Sequence, residues 1–149
     1  MQSLPILAKL DDSISLESLG TAGKERYIKI GLQISCEYCC GAESIIFKNG
    51  QAACGCQHSY AMRGLAKYLL KNHASEYTDD LILEEMGKWK TLFFPKQILQ
   101  KAVEFQSAGK DINTIDLTSN KFRGFKAPAE GAAAASGSVG SLPDMVGGC

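Results

Sequence analysis

Five of the six cysteines and one of the two histidines fall between residues 36 and 58, in CEYCCGAESIIFKNGQAACGCQH. A chain that gathers thiols this densely either oxidises them in pairs or gives them a shared ligand, and both choices pin the segment. The pattern is Cys36-x2-Cys39-Cys40-Gly41, then Cys54-Gly55-Cys56-x-His58. The first group resembles a metal knuckle, in which two thiolates hold one ion while backbone amides point at the sulfurs. The second offers three ligands in five residues. Between them Asn49-Gly50 is a hairpin signal of the type I′ kind, with positive φ expected at both residues. In that register Ile45 sits opposite Cys54 and Glu43 near Cys56, so the hairpin folds Cys54 and Cys56 back towards Cys39 and Cys40.

Metal, disulfide and dithiol chemistry all remain open on these residues. Adjacent Cys39 and Cys40 suit a compact disulfide staple poorly, and His58 adds a ligand type that a pairing such as Cys36–Cys54 does not need. Metal binding through Cys36, Cys39, Cys40, Cys54, Cys56 and His58 is therefore the leading expectation. Zinc is the first candidate, with Cu(I) and an iron–sulfur cluster as alternatives. The runner-up is a thiol–disulfide protein using the same cysteines, and a third reading is an interaction module whose zinc only holds the fold. Five thiols and an imidazole exceed the four ligands of one tetrahedral ion, which favours metal handling over a plain structural ion. Cys40 stands where covalent haem attachment needs a histidine, which excludes that cofactor.

Around the cluster, RYIKIGLQIS (26–35) alternates, with Ile28, Ile30, Leu32 and Ile34 on one side, and predicts a strand. From Ser59 the period becomes helical, with Ala61, Met62, Leu65, Ala66 and Leu69 on one face. That helix would start beside Cys56 and His58, where its N-terminus favours thiolates. Thr78 is placed to cap a second helix, whose first turn carries Asp79 and Asp80. Pro95 suits the first position of a third helix, ended by Gly109. The expected fold class is α+β: a cysteine-bearing hairpin and strand packed on about three helices. Residues 1–24 read as an N-terminal arm holding a short helix or extended chain, 25–112 as the cysteine-cluster domain, and 113–149 as an extension with a flexible Gly/Ala/Ser-rich tail.

At CCGAESIIFKNGQAACGCQHSYAMRGLAKYL the chain resembles the PCYCGC-type family of small proteins with clustered cysteines. The carrying features are Cys54-Gly55-Cys56, then His58-Ser59 and the helical segment beyond, over residues 36–95. The family's Pro-Cys-Tyr-Cys-Gly-Cys string is not intact: its parts are scattered over Tyr38-Cys39-Cys40-Gly41 and Cys54-Gly55-Cys56. The resemblance implies metal or redox chemistry. It also implies export or lipid anchoring; without such a leader the chain as it stands reads as cytoplasmic, and as exported or membrane-anchored if an upstream leader is missing.

The sixth cysteine, Cys149, ends a tail whose r.m.s. reach is about 25 Å by flexible-chain scaling. It is expected to act as a mobile thiol, meeting the cluster or a protein partner. Equal numbers of acidic and basic residues, sixteen of each, speak against nucleic acid and anionic membranes as partners. The basic-aromatic KFRGFK (121–126) reads as phenylalanines docking the end of the domain. No apolar run approaches the ~20 residues of a membrane span. No Ser-His-Asp set, phosphate loop or dinucleotide fingerprint appears, which points away from an enzyme.

Overall fold

The computed structural model describes residues 3–127 and 139–147 of the 149-residue chain. Its centre is the helix that follows the cysteines. Ala61, Met62, Ala66, Leu69 and Leu70 recur at helical spacing and are buried along one stripe of α3, Gln57–Asn72. Against this helix pack α1 (Ser3–Ser13), α2 (Gly20–Gly31) and α4 (Asp79–Phe93). The chain continues through α5 (Pro95–Ser107) and a short α6 (Thr114–Thr118), which lies on α4 and α5. The expected punctuation holds. Thr78 Oγ1 accepts from the Leu81 amide at 3.2 Å, Pro95 opens α5, and Gly109 takes the left-handed φ of 65° just past its end.

The fold class is a correction. Among the described residues there are six α-helices and no strand, so the architecture is all-α rather than α+β with a hairpin. The stretch expected as a strand, 26–35, is mostly the end of α2. Its alternation misled because Tyr27, Ile30 and Gly31, at i, i+3 and i+4, are the buried residues of α2, with Ile34 and Ser35 buried just beyond its end. A strand would have turned Tyr27 and Gly31 to the face opposite the isoleucines. A short apolar run satisfies both periods, and tertiary burial chose the helical one.

The hairpin shrinks to one isolated antiparallel bridge, Ile46 with Ala52. Its turn is closed by Gly50 N–H donating to the Phe47 carbonyl at 2.8 Å. Only Gly50 has positive φ (85°), so the turn is not the type I′ that Asn49-Gly50 suggested. The pairing also shifts by one residue: the Ala53 amide, not that of Cys54, bonds the Ile45 carbonyl, at 3.1 Å. Residues 32–56 are therefore an irregular loop, held by side chains instead of a sheet. Of the tail read above as flexible, residues 128–138 and the terminal Cys149 lie outside the described residues, whereas residues 139–147 pack on the domain, with the Val146 amide donating to the Phe93 carbonyl at 2.7 Å. Among the described residues no helix is long and apolar enough to cross a membrane.

Two close approaches set the helix packing. Gly64, mid-α3, faces α1: a Cβ there would run into the Leu7 carbonyl oxygen and come within 2.9 Å of the Asp11 amide. Gly87 does the same for α4 against Thr118 of α6. At the other end, Arg26 of α2 donates to Asp79 at 2.6 Å and Lys29 does so at 2.9 Å, tying α2 to the start of α4. Burial alone would raise the Asp79 carboxyl, but these two cations outweigh it and hold it below its usual range.

Replacing Gly64 by Ala should destabilise the protein by about 1–3 kcal/mol in urea unfolding, through overpacking, despite alanine's helix advantage of up to ~1 kcal/mol. Gly55→Ala, where no atom lies within 4 Å, serves as the near-neutral control. Because the folded carboxyl is depressed, Asp79 stabilises above its unfolded pKa of about 3.9 and this is lost as pH falls through the lower folded value. Asp79→Asn should therefore lower the urea midpoint at pH 7 and leave it unchanged near pH 2.

Candidate metal centre

Cys36 and Cys56 meet first. Cys56 is the N-cap of α3, and its sulfur accepts from the Ser59 amide at 3.4 Å. Cys36 Sγ lies 3.3 Å from Cys56 Sγ and 2.9 Å from the Ser59 hydroxyl. Cys54 Sγ is 3.4 Å from Cys56 Sγ, and Cys40 and Cys54 are joined at disulfide distance, with Cα atoms 6.8 Å apart. The four sulfurs of Cys36, Cys40, Cys54 and Cys56 thus lie within 4.8 Å of one another. Cys36, Cys54 and Cys56 are buried and Cys40 is exposed. A second group of potential ligand atoms, Cys39, Cys56 and His58, shares Cys56. Cys39 is half-buried and also disulfide-bonded. A cluster of cysteines with a histidine is therefore present, and its geometry is compatible with metal binding.

The thiols are electrostatically unequal. A hydrogen bond from Cys36 draws the Cys56 thiol well below the ordinary cysteine range, with His58 and the Ser59 amide adding to it and burial opposing. The same hydrogen bond, reinforced by burial, pushes Cys36 up. The hydrogen bond between the two sulfurs thus favours the proton on Cys36 and thiolate character at Cys56, whose place at a helix N-terminus acts in the same direction.

His58 is buried between the rings of Phe93 and Phe94, with centroids 4.8 and 4.9 Å away. Its Nε2 bonds the Val146 carbonyl at 2.8 Å, while Nδ1 is buried without a hydrogen-bond partner. Burial would lower its pKa, but Cys56 and the Val146 carbonyl outweigh this and raise it. The Val146 carbonyl on Nε2 fixes the orientation of the ring beside Cys56. His73, by contrast, is the C-cap of α3 and pairs with Glu76 at 3.1 Å.

Several residues that build the site were not picked out from the sequence. The first cysteine turn is closed by the Tyr38 amide donating to the Cys36 carbonyl at 2.6 Å, with Glu37 at its tip in a left-handed φ of 61°. This is a γ-turn, a strained conformation for a residue with a Cβ. The Glu37 carboxylate compensates by reaching inward. It accepts from Lys90 and from the Gly124 amide, both at 2.9 Å, and Lys101 stands 3.8 Å away. Burial would raise this carboxyl, but Lys90, the Gly124 amide and Lys101 hold it low. Burial pushes the Lys90 ammonium down to about 8, with Glu37 opposing.

On the other side, Arg63 donates from Nη1 to the carbonyls of Cys54 (2.8 Å) and Ile45 (3.3 Å). Arg123 clamps the carbonyls of Gly41 and Ala42 at 3.1 and 2.8 Å. The flanking Phe122 and Phe125 dock edge-on against Phe105, at 5.2 and 4.9 Å. One signal could have found Lys90 and Lys101. Each interrupts an apolar helical stripe, Lys90 between Met86 and Phe93–Phe94, Lys101 between Ile98 and Phe105. A lysine in such a stripe is buried and needs an anion.

No family model, curated protein or solved structure matches this chain.

Glu37→Gln removes the anion between two buried ammonium groups while keeping the side chain's shape. It should cost about 3–5 kcal/mol in chemical denaturation, the penalty for breaking a buried pair.

Proposed function

We propose that the reduced protein binds one soft metal ion through Cys36, Cys40, Cys54 and Cys56, with zinc the first choice. The observation that carries this reading is the convergence of those four sulfurs within 4.8 Å of one another. A zinc ion with Zn–S bonds of about 2.3 Å needs four thiolates on a tetrahedron with edges of about 3.8 Å. The gaps of 3.3 and 3.4 Å around Cys56 need only a small expansion to reach it. One small ion fits this spacing better than an iron–sulfur cluster, whose thiolates spread around a larger body. Cu(I), with fewer ligands, would leave part of the set idle.

His58 and Cys39 lie outside this tetrad and share only Cys56 with it. The exposed Cys40 gives the ion a route to solvent, which supports metal handling over a sealed structural ion. The PCYCGC-type resemblance points the same way, towards metal or redox chemistry.

A second reading rests on the Cys40–Cys54 contact. Two-electron oxidation of those thiols by a thiol oxidant or a partner disulfide forms their bond and removes two of the four ligands. In the oxidised protein the Cys56 thiolate faces Cys54 Sγ at 3.4 Å. Its attack would form Cys54–Cys56 and release Cys40 as thiolate, a balanced exchange. Metal binding and dithiol chemistry are then alternative states of one cluster.

Anaerobic cobalt titration of the fully reduced protein should saturate at one ion, with thiolate-to-cobalt charge-transfer bands and tetrahedral visible bands. Cys40→Ser or Cys54→Ser should weaken binding by at least about 100-fold, more than loss of an outer hydrogen-bonding partner does. Cys39→Ser should leave the spectrum intact. Absence of cobalt and zinc binding, with a disulfide that re-forms under mild oxidant, would replace the metal reading by the thiol–disulfide one.

A further inference from the structure

A cavity of about 280 Å³, partly open to solvent and with Arg63 in its wall, lies between α1, α3 and the Gly50 turn. Its inner wall holds Arg63 and Lys67, both buried, with the rings of Tyr27 and Tyr60 beside them. Its wall also includes Asp12 and Glu17, which are exposed and so belong to its mouth.

The inner charges do not balance. Asp11 is the one carboxylate paired with both cations: Arg63 Nε donates to it at 2.7 Å and Lys67 Nζ approaches at 2.6 Å. Lys67 also donates to the Asp11 carbonyl at 2.7 Å. Arg63 Nη1 is committed to the Cys54 and Ile45 carbonyls. Nη2, on a side chain 1% exposed, has no hydrogen-bond partner. A guanidinium donor buried beside an open cavity, with one positive charge in surplus, calls for a single anionic acceptor. The acidic mouth repels a simple anion and attracts a cation. One small molecule satisfies both ends if it carries a carboxylate and an ammonium a few bonds apart.

We propose that this cavity binds a small zwitterion of the α-amino-acid class. Its carboxylate accepts from Arg63 Nη2 beside Lys67, and its ammonium lies towards Asp12 and Glu17. The aromatic walls leave room for a modest side chain. None of the cysteines lines this cavity, and the proposal does not rest on the metal reading, although Arg63 also holds the Cys54 carbonyl.

Calorimetric and amide-NMR titrations with alanine and serine test it, using acetate and methylamine as the half-ligands. Alanine or serine should bind saturably, at least about tenfold more tightly than either half-ligand, as two partly exposed charge pairs allow. The shifted amides should surround Arg63 and Gln51. Asp12→Asn with Glu17→Gln, both on exposed side chains, should reduce amino-acid binding by about tenfold to the level of acetate. Arg63→Lys should abolish binding of amino acid and acetate alike; if it does not fold, the rim double variant carries the test alone. Absence of saturable binding, equal affinity for alanine and acetate, or indifference to the rim variant would each overturn the proposal.

Discussion

The guanidinium of Arg63 is the contact on which the rest of the molecule depends. From the middle of α3 it reaches Asp11 on α1 and the carbonyls of Ile45 and Cys54 in the cysteine loop. Three elements with no sheet between them are thereby fixed by one planar group with donors in a rigid fork. The neighbouring Gly64 lets α1 close to backbone distance, which brings Asp11 within reach. An arginine buried this deeply is tolerable only because its charge is paired and most of its donors are used. Beside that pairing, the 45–54 segment has the Ile46–Ala52 bridge, the Gly50 turn, the Ile45 amide on the Ile34 carbonyl and the Cys40–Cys54 contact to define it.

The same device recurs on the other side of the cluster. Glu37 stands between Lys90 and Lys101 as Asp11 stands between Arg63 and Lys67, one carboxylate for two cations each time. Each triad anchors one of the two cysteine-bearing segments, Cys36–Cys40 through Glu37 and Cys54–Cys56 through Arg63. The sulfurs are thus brought together by charge buried in the helical core, not by a hairpin ladder. Sulfurs held in this way are positioned by the fold itself, which would lower the ordering cost of binding any shared ligand. The thiolate already favoured at Cys56, on the N-terminus of α3, adds to the same preparation.

Much of the frame was legible. Helices after Ser59, after Thr78 and from Pro95 follow from apolar spacing and capping chemistry, which are local properties. The meeting of the cysteines was also legible, although the reason was not. A tight turn was expected at Asn49-Gly50, and a turn closed at Gly50 is there, but it carries a single bridge in a register shifted by one residue. Residues 26–35 were misread because alternating isoleucines fit a strand, while only the partner helices reveal that Tyr27 and Gly31 are inside.

By itself, the sequence determined that the Cys36–Cys40 and Cys54–His58 groups lie close together near a helix N-terminus, because few residues and a tight turn separate them. Tertiary structure alone decided which four sulfurs meet, that Cys56 is the favoured thiolate, and that His58 turns instead to Val146 and two phenylalanine rings. The physical reason is that these choices rest on partners distant in sequence: Arg63, Lys90, Lys101, Gly124 and Val146. Burial and charge pairing act across space, and no local pattern of residues records which cation a carboxylate will find.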